Sequence, residues 1–428
     1  MKNKSGFTSL EKSWILYDVG NSAFVLMAST LIPIYFNALA AGGGVNEDLY
    51  LSYWGYAGSV ATILVAIIGP ICGTMADRNL KKPIFLISAC VGILACTFMG
   101  VSSHWLLFLA TFVLARVGFS SSVVFYDSML PEITTEERMD NISSAGYALG
   151  YIGSVIPFIV CLVLVLMHDS FSLSQSTAMS ISFILIALWW IGCTLPLAKN
   201  YKQKAFVSTQ KSPLGDSFRQ IARTLRYARQ EKHIFLYLIA FFFFIDGVYT
   251  IIDMATAYGT AVGLDTTGLL LALLVTQIVA FPFAILFGKL ASKYDTGLLI
   301  KVCILSYTVI TTFAVFLASQ WQFWVLAILV GMFQGGIQAL SRSYLGKIIP
   351  PERSGEFFGL MDIFGKGASF MGLTMASVIS QVTAGMQLNV FGIQLQNENI
   401  AVASLLILFA VGFVLFCKAD KLNKARSH

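Results

Sequence analysis

Twelve stretches of roughly twenty mostly apolar residues, most of them joined by loops only a few residues long, constrain this chain more than any other feature. A helix needs about 20 apolar residues to cross a bilayer, and the runs at roughly 14–40, 52–75, 83–102, 105–130, 142–167, 177–197, 234–258, 266–290, 298–318, 321–347, 355–382 and 399–417 each meet that length. They are numbered here as spans 1 to 12. Of the 428 residues, 57% are apolar and only 12% charged, and the mean hydropathy is +0.77. That leaves no room for a sizeable soluble domain, so the chain reads as an integral membrane protein.

Charge placement gives the topology. The loops near residues 41–51, 103, 168–176, 259–265, 319–320 and 383–398 carry no Lys or Arg. Basic residues therefore gather on one face, with Arg116 and Lys366 the exceptions inside spans. This positive-inside pattern predicts a multi-pass protein of the cell membrane with both termini in the cytoplasm. The net charge of +6 then reflects the lipid bilayer rather than a nucleic-acid partner. Seven cysteines, Cys72, Cys90, Cys96, Cys161, Cys193, Cys303 and Cys417, fall in apolar runs without a C-x-x-C pair and read as small buried hydrophobes. Four histidines sit at predicted helix ends or the terminus, so no metal site and no cofactor are expected. The first run is too long for a signal peptide and is interrupted by Asp18 and Asn21, so it is expected to remain as a helix.

Two halves, 1–198 and 234–428, flank the one long polar stretch, 199–233. From Ser212-Pro213 that stretch reads as an amphipathic helix lying in the membrane surface, with Leu214, Phe218, Ile221 and Leu225 on one face and Arg219, Arg223 and Arg226 on another. The halves echo each other at an offset of about 215 to 230 residues. Asp18 to Phe24 answers Asp246 to Ile252. Gly73 to Lys82 answers Gly288 to Asp295, with Ser292 standing where Asp77 would be, and Leu130-Pro131-Glu132 answers Ile349-Pro350-Pro351-Glu352.

The tight turn Gly73-Thr74-Met75-Ala76-Asp77-Arg78-Asn79-Leu80-Lys81-Lys82-Pro83 resembles the signature loop between helices 2 and 3 of major facilitator transporters. Gly73, Asp77, Arg78, Lys81 and Lys82 fit it, while Leu80 replaces a glycine. Within that superfamily, four segments resemble the group related to the fungal vacuolar amino-acid effluxer. They are Trp14 to Phe24, Ser144 to Tyr151, Gln334 to Tyr344, and Glu356-Phe357-Phe358-Gly359. The resemblance implies an all-α membrane protein of twelve transmembrane helices in two pseudo-symmetric six-helix bundles, with spans 1, 4, 7 and 10 lining a central cavity.

An ionisable group inside the membrane is costly and so marks function by default. In-span polar residues collect on those four spans: Asp18 and Asn21, Arg116 and Asp127, Asp246 and Asp253, and Gln334, Gln338 and Arg342. At 1.5 Å per residue, Arg116 lies about 11 residues from the outer end of span 4 and Asp246 about 12 from the inner end of span 7. Both depths are near the midplane. The expected transport cavity comprises Asp18, Asn21, Arg116, Asp246, Asp253, Gln334 and Gln338. Arg116 would receive an anionic group and Asp246 a proton or an amine, with a structural ion pair as the alternative. Gly73, Asp77, Arg78, Asp127 and Arg342 form the expected cytoplasmic gate, Asp77 capping a helix N-terminus in the other half. Asp362 and Lys366, four apart, form a local pair or a coupling site.

Gly146, Gly150 and Gly153 stripe span 5 and permit close helix approach. Gly359 to Lys366 has the wrong glycine spacing for a phosphate loop, which excludes an ATP-driven pump. No clustered nucleophile or metal set suggests an enzyme. The chain is thus expected to be a monomeric secondary transporter moving a small polar organic solute, with an amino acid the expected type, alone or with a coupled proton or other ion. A non-transporting receptor or scaffold on the same fold, and an exporter of larger amphipathic compounds, remain alternatives.

Overall fold

The computed structural model describes residues 6–46, 49–207, 226–227, 229–261, 265–383, 388–390, 393–395 and 397–426, with the side chains of 253, 256–258 and 366–370 among those outside the description. The predicted surface helix at 212–226 therefore falls almost wholly outside the described residues.

Each apolar run is helical, because a helix satisfies its own backbone where lipid cannot. We name the spans α1 (Ser9–Ala28 with Leu31–Gly42), α2 (Tyr50–Met75), α3 (Lys81–Met99), α4 (Trp105–Ser128), α5 (Glu136–Leu166), α6 (Gln175–Asn200), α7 (Lys232–Ala261), α8 (Thr266–Ala291), α9 (Thr296–Val315), α10 (Gln320–Ile348), α11 (Ser354–Val382) and α12 (Asn397–Arg426). A short helix, Leu130–Ile133, follows α4, and the strands Leu388–Val390 and Ile393–Leu395 pair antiparallel between α11 and α12.

Several boundaries differ from expectation. The first span is not one straight helix: it bends by 40° between Ala28 and Leu31. It also begins earlier, at Ser9, where a capping box sets the start. Glu11 N donates to Thr8 Oγ1 (3.2 Å) and Thr8 N donates to Glu11 Oε2 (2.7 Å). α5 starts six residues before the predicted 142, on the acidic turn Glu136-Glu137, and α12 runs on to Arg426. Helix α2 passes into α3 through Ala76–Leu80, where Asn79 takes a left-handed φ of 66° and turns the chain. Short polar caps start the later spans: Ser174 for α6, Asp265 for α8, Asp295 for α9 and Ser319 for α10. Cys90 is exposed rather than buried, and Cys72 and Cys417 are half-buried; on an outward helix face in a bilayer, a thiol meets lipid instead of water.

Packing divides the chain into two compact units: Met1–Thr135 with Leu149–Ile221 and Pro350–Gly359, and Glu136–Ala148 with Ala222–Ile349 and Leu360–His428. Thus α5 gives its first turns to the second unit, and α11 gives its first turns to the first. In the first unit α1 packs on α6, α2 on α4, α3 on α4, and α3 on α6. In the second, α7 packs on α12, α8 on α10, α9 on α10, and α9 on α12. The same four pairings recur in the same order, which is what a duplicated sequence requires. Gly150 and Gly153 meet Ser22 and Val19 of α1, so the predicted glycine stripe serves a helix contact within the first unit. Of the Phe241–Phe244 run, Phe241 and Phe244 turn inward and pack edge to face.

Candidate functional site

In the first unit the signature turn is built around a buried charge. Asp77 is 2% exposed. Its Oδ1 accepts from Gly355 N (2.8 Å) and its Oδ2 from Glu356 N (2.9 Å), the first amides of α11. Those amides have no partner inside their own helix and carry the positive end of its dipole, so a carboxylate suits them. A side chain on Gly73 would meet Gly355 O at 2.5 Å, and one on Gly355 would meet Gly73 O at 2.6 Å. The two backbones touch because neither residue has a Cβ.

Lys81, a motif residue left out of the expected gate, is wholly buried. Its ammonium donates to Glu132 Oε1 (2.5 Å), Ser354 Oγ (2.9 Å) and Ser128 O (3.2 Å). Glu132 also accepts from Tyr201 OH (3.1 Å) and from the amides of Lys204 (2.7 Å) and Ala205 (3.2 Å). Burial, with the Glu132 carboxylate beside it, raises the Tyr201 phenol above its ordinary value, so it stays a donor. Gln203 ties the following strap to the turn, donating to Ala76 O (2.9 Å) and accepting from Lys81 N (3.0 Å). Arg78 is half-buried and has no ion pair among the described residues.

The second unit holds the pseudo-equivalent cluster with its charges reassigned. Asp140, from the first turns of α5, is 3% exposed and accepts from Lys347 Nζ (2.5 Å), Ser343 Oγ (2.5 Å) and Thr296 Oγ1 (2.7 Å). Thr296 lies 215 residues after Lys81, and the lysine of this cluster comes from the end of α10. Arg342 donates to Ser143 Oγ and Ser143 O (both 2.9 Å) and stacks over Tyr147, 4.3 Å from the ring centre. A side chain on Gly288, the echo of Gly73, would meet Ser144 Cβ at 2.8 Å.

The expected cavity residues fall into both units. Asp18 is buried, Asn21 is 3% exposed with its Nδ2 unpartnered, and Arg116 and Asp127 are half-buried. Asp18 and Asp127 both lie near enough to Tyr17 to act on it, and Tyr17 donates to Ser122 (2.6 Å). In the second unit Asp246 has no exposed surface. Its Oδ1 accepts from Gly372 N (3.0 Å) and Thr250 Oγ1 (3.2 Å), while Oδ2 has no partner among the described residues. A methyl on Gly372 would collide with both side chains, so α11 comes close to α7 at this point. Gln334 is buried and Gln338 half-buried. The side chains of Asp253 and Lys366 lie outside the description, and Asp362 is half-buried.

Lys81, Glu132, Ser354, Asp140, Ser143 and Lys347 were absent from the expected sites. Lys81 carried a signal in its fit to the signature turn, and Glu132 one in the repeat. Asp140 lies before the predicted start of span 5.

Comparison with known proteins agrees with this architecture. The sequence pattern of the family described as "Vacuole effluxer Atg22 like" matches residues 9–141 and 132–427. The MFS-type transporter YxiO of Bacillus subtilis is 40% identical over 415 residues, covering 96% of this chain and 94% of that one. Autophagy-related protein 22-2 of Aspergillus clavatus is 26% identical over 268 residues, covering 56% of this chain and 43% of that longer protein. Among solved structures, the human organic anion transporter MFSD10 (TETRAN) superposes with a TM-score of 0.70 over 95% of this chain and 98% of its own, at 11% identity.

Proposed function

Because this chain belongs to the Atg22-like family of major facilitator transporters, we propose that it moves a small polar organic solute, of the amino-acid type, by alternating access to the two sides of the membrane. The membrane is the cell membrane, with both termini cytoplasmic, as the absence of Lys and Arg from alternate loops favours. Its relatives and structural neighbours are transporters, not enzymes.

The observation that carries the reading is Asp246. A carboxylate with no exposed surface and one oxygen without a donor among the described residues is a poor structural element, since an unmet buried acceptor costs about 1–3 kcal/mol and more when charged. The same arrangement suits a group that takes up a proton or a solute amine and gives it back. Arg116, half-buried on α4, is proposed to receive the solute's carboxylate or other anionic group, by a charge-assisted, bidentate hydrogen bond. Asp77, Lys81, Asp140 and Arg342 hold the ends of α11 and α5 in place and serve as gate residues.

A thermal-shift screen of the purified protein against amino acids, short peptides, sugars and organic anions tests this, repeated with Arg116→Ala and Asp246→Asn. Proteoliposomes then measure uptake of any hit with and without a pH gradient. Loss of binding in Arg116→Ala, with loss of gradient-driven uptake in Asp246→Asn, is the expected pattern. A hit that binds both variants with unchanged affinity overturns the assignment of these residues.

A further inference from the structure

Inside the second unit, α7, α8 and α10 part to leave a partly open pocket of about 50 Å³. Its walls are aliphatic and aromatic, with Ile251, Leu273, Leu326, Val330 and Phe323 among them. Three polar side chains reach it: Thr276, Gln277 and Gln334. Thr276 is already spent, its hydroxyl shared between Ala272 O (3.0 Å) and Ala327 O (3.2 Å), which pins α8 to α10. The two glutamines are different. Gln334 is only 4% exposed, and no hydrogen bond among the described residues uses either carboxamide. Gln277 is half-buried, and both side chains line the same largely apolar pocket. No Asp, Glu, Lys, Arg or His lines the cavity.

We propose that this cavity is a solute subsite that takes an apolar body carrying one uncharged hydrogen-bonding group, an amide or a hydroxyl, which the Gln277 and Gln334 carboxamides receive. A carboxamide offers two donors and two lone pairs, so the pair matches a ligand group that both donates and accepts. An ionised group gains no counter-charge there and would lose its hydration. The cavity therefore selects against charge at the end of the solute that it receives. This inference rests on the reading of the chain as an organic-solute transporter.

The test uses three six-carbon probes of one shape, hexanamide, hexanoate and hexylammonium, titrated by calorimetry against the purified full-length protein. Hexanamide is expected to bind at least tenfold more tightly than either ion. Gln334→Leu, which keeps the volume and removes the amide, is expected to weaken hexanamide by about tenfold, as for a neutral hydrogen bond left unmade. Gln277→Leu, at a less buried position, serves as the second variant and is expected to act in the same direction. Ala327→Phe, which fills the cavity, is expected to abolish hexanamide binding while the uptake measured in proteoliposomes still responds to Arg116→Ala. Equal binding of all three probes, or hexanamide affinity untouched by both leucine variants, overturns the subsite. If uptake of a solute persists while hexanamide fails to bind, the subsite alone falls and the transport reading stands.

Discussion

Replacing Lys81 with methionine removes a fully buried charge and keeps most of the volume of its stem. In the native protein that ammonium donates to Glu132, Ser354 and Ser128 within 3.2 Å, and the Glu132 side chain is itself only 2% exposed. Removing one partner of a buried ion pair typically costs about 3–5 kcal/mol, because the other charge is stranded. Glu132 keeps three neutral donors, the Tyr201 hydroxyl and the amides of Lys204 and Ala205, so the expected loss lies at the lower end, about 3 kcal/mol. Neutralising the stranded group as well, in Lys81→Met with Glu132→Gln, is expected to recover about 1–2 kcal/mol of it. Apparent unfolding midpoints in detergent, taken for the wild type, each single variant and the double variant, complete a thermodynamic cycle. The double variant should be more stable than Lys81→Met alone. If the two single effects simply add, the pair is uncoupled, and the account of the turn as a charge buried against its partner is refuted.

Two further outcomes follow from the docking tips. Gly355→Ala puts a methyl 2.6 Å from Gly73 O and 2.7 Å from Asp77 Oδ1, so the start of α11 must lift. Hydrogen exchange at the Gly355 and Glu356 amides should then rise, and unchanged protection would contradict the close approach. Asp140→Ala strands Lys347 and frees Ser343 and Thr296, at an expected cost of about 3 kcal/mol. Asp140→Asn keeps an acceptor and should cost less. The reverse order of unfolding midpoints would mean that an acceptor kept at position 140 does not stabilise this cluster.

Much of this architecture is legible in the chain because it is local. A run of apolar residues is helical wherever it lies in lipid, so the positions of α2 to α11 follow from hydropathy alone, give or take a few residues at the ends. The repeat also survives in sequence: Gly288 stands 215 residues beyond Gly73, and the packing of the second unit copies that of the first. The bend at Ser29-Thr30 was not legible, since the run stays apolar through it. Neither was the early start of α5, whose first turn, Glu136-Glu137, is acidic rather than apolar.

What the sequence by itself determined is which segments cross the membrane, that they come as two related sets of six, and that the turn at Gly73 to Lys82 is special. Only the tertiary structure decided what that turn is for. Lys81 and Ser354 are 273 residues apart, and Arg342 and Ser143 are 199 apart; no spacing rule reaches so far. The same holds for Asp246, whose oxygen without a partner among the described residues depends on how closely α11 passes, and for the two glutamines that line one largely apolar pocket. Hydrophobicity is a property of each residue, whereas the partner of a buried polar group is chosen by packing, and that choice exists only once the helices have come together.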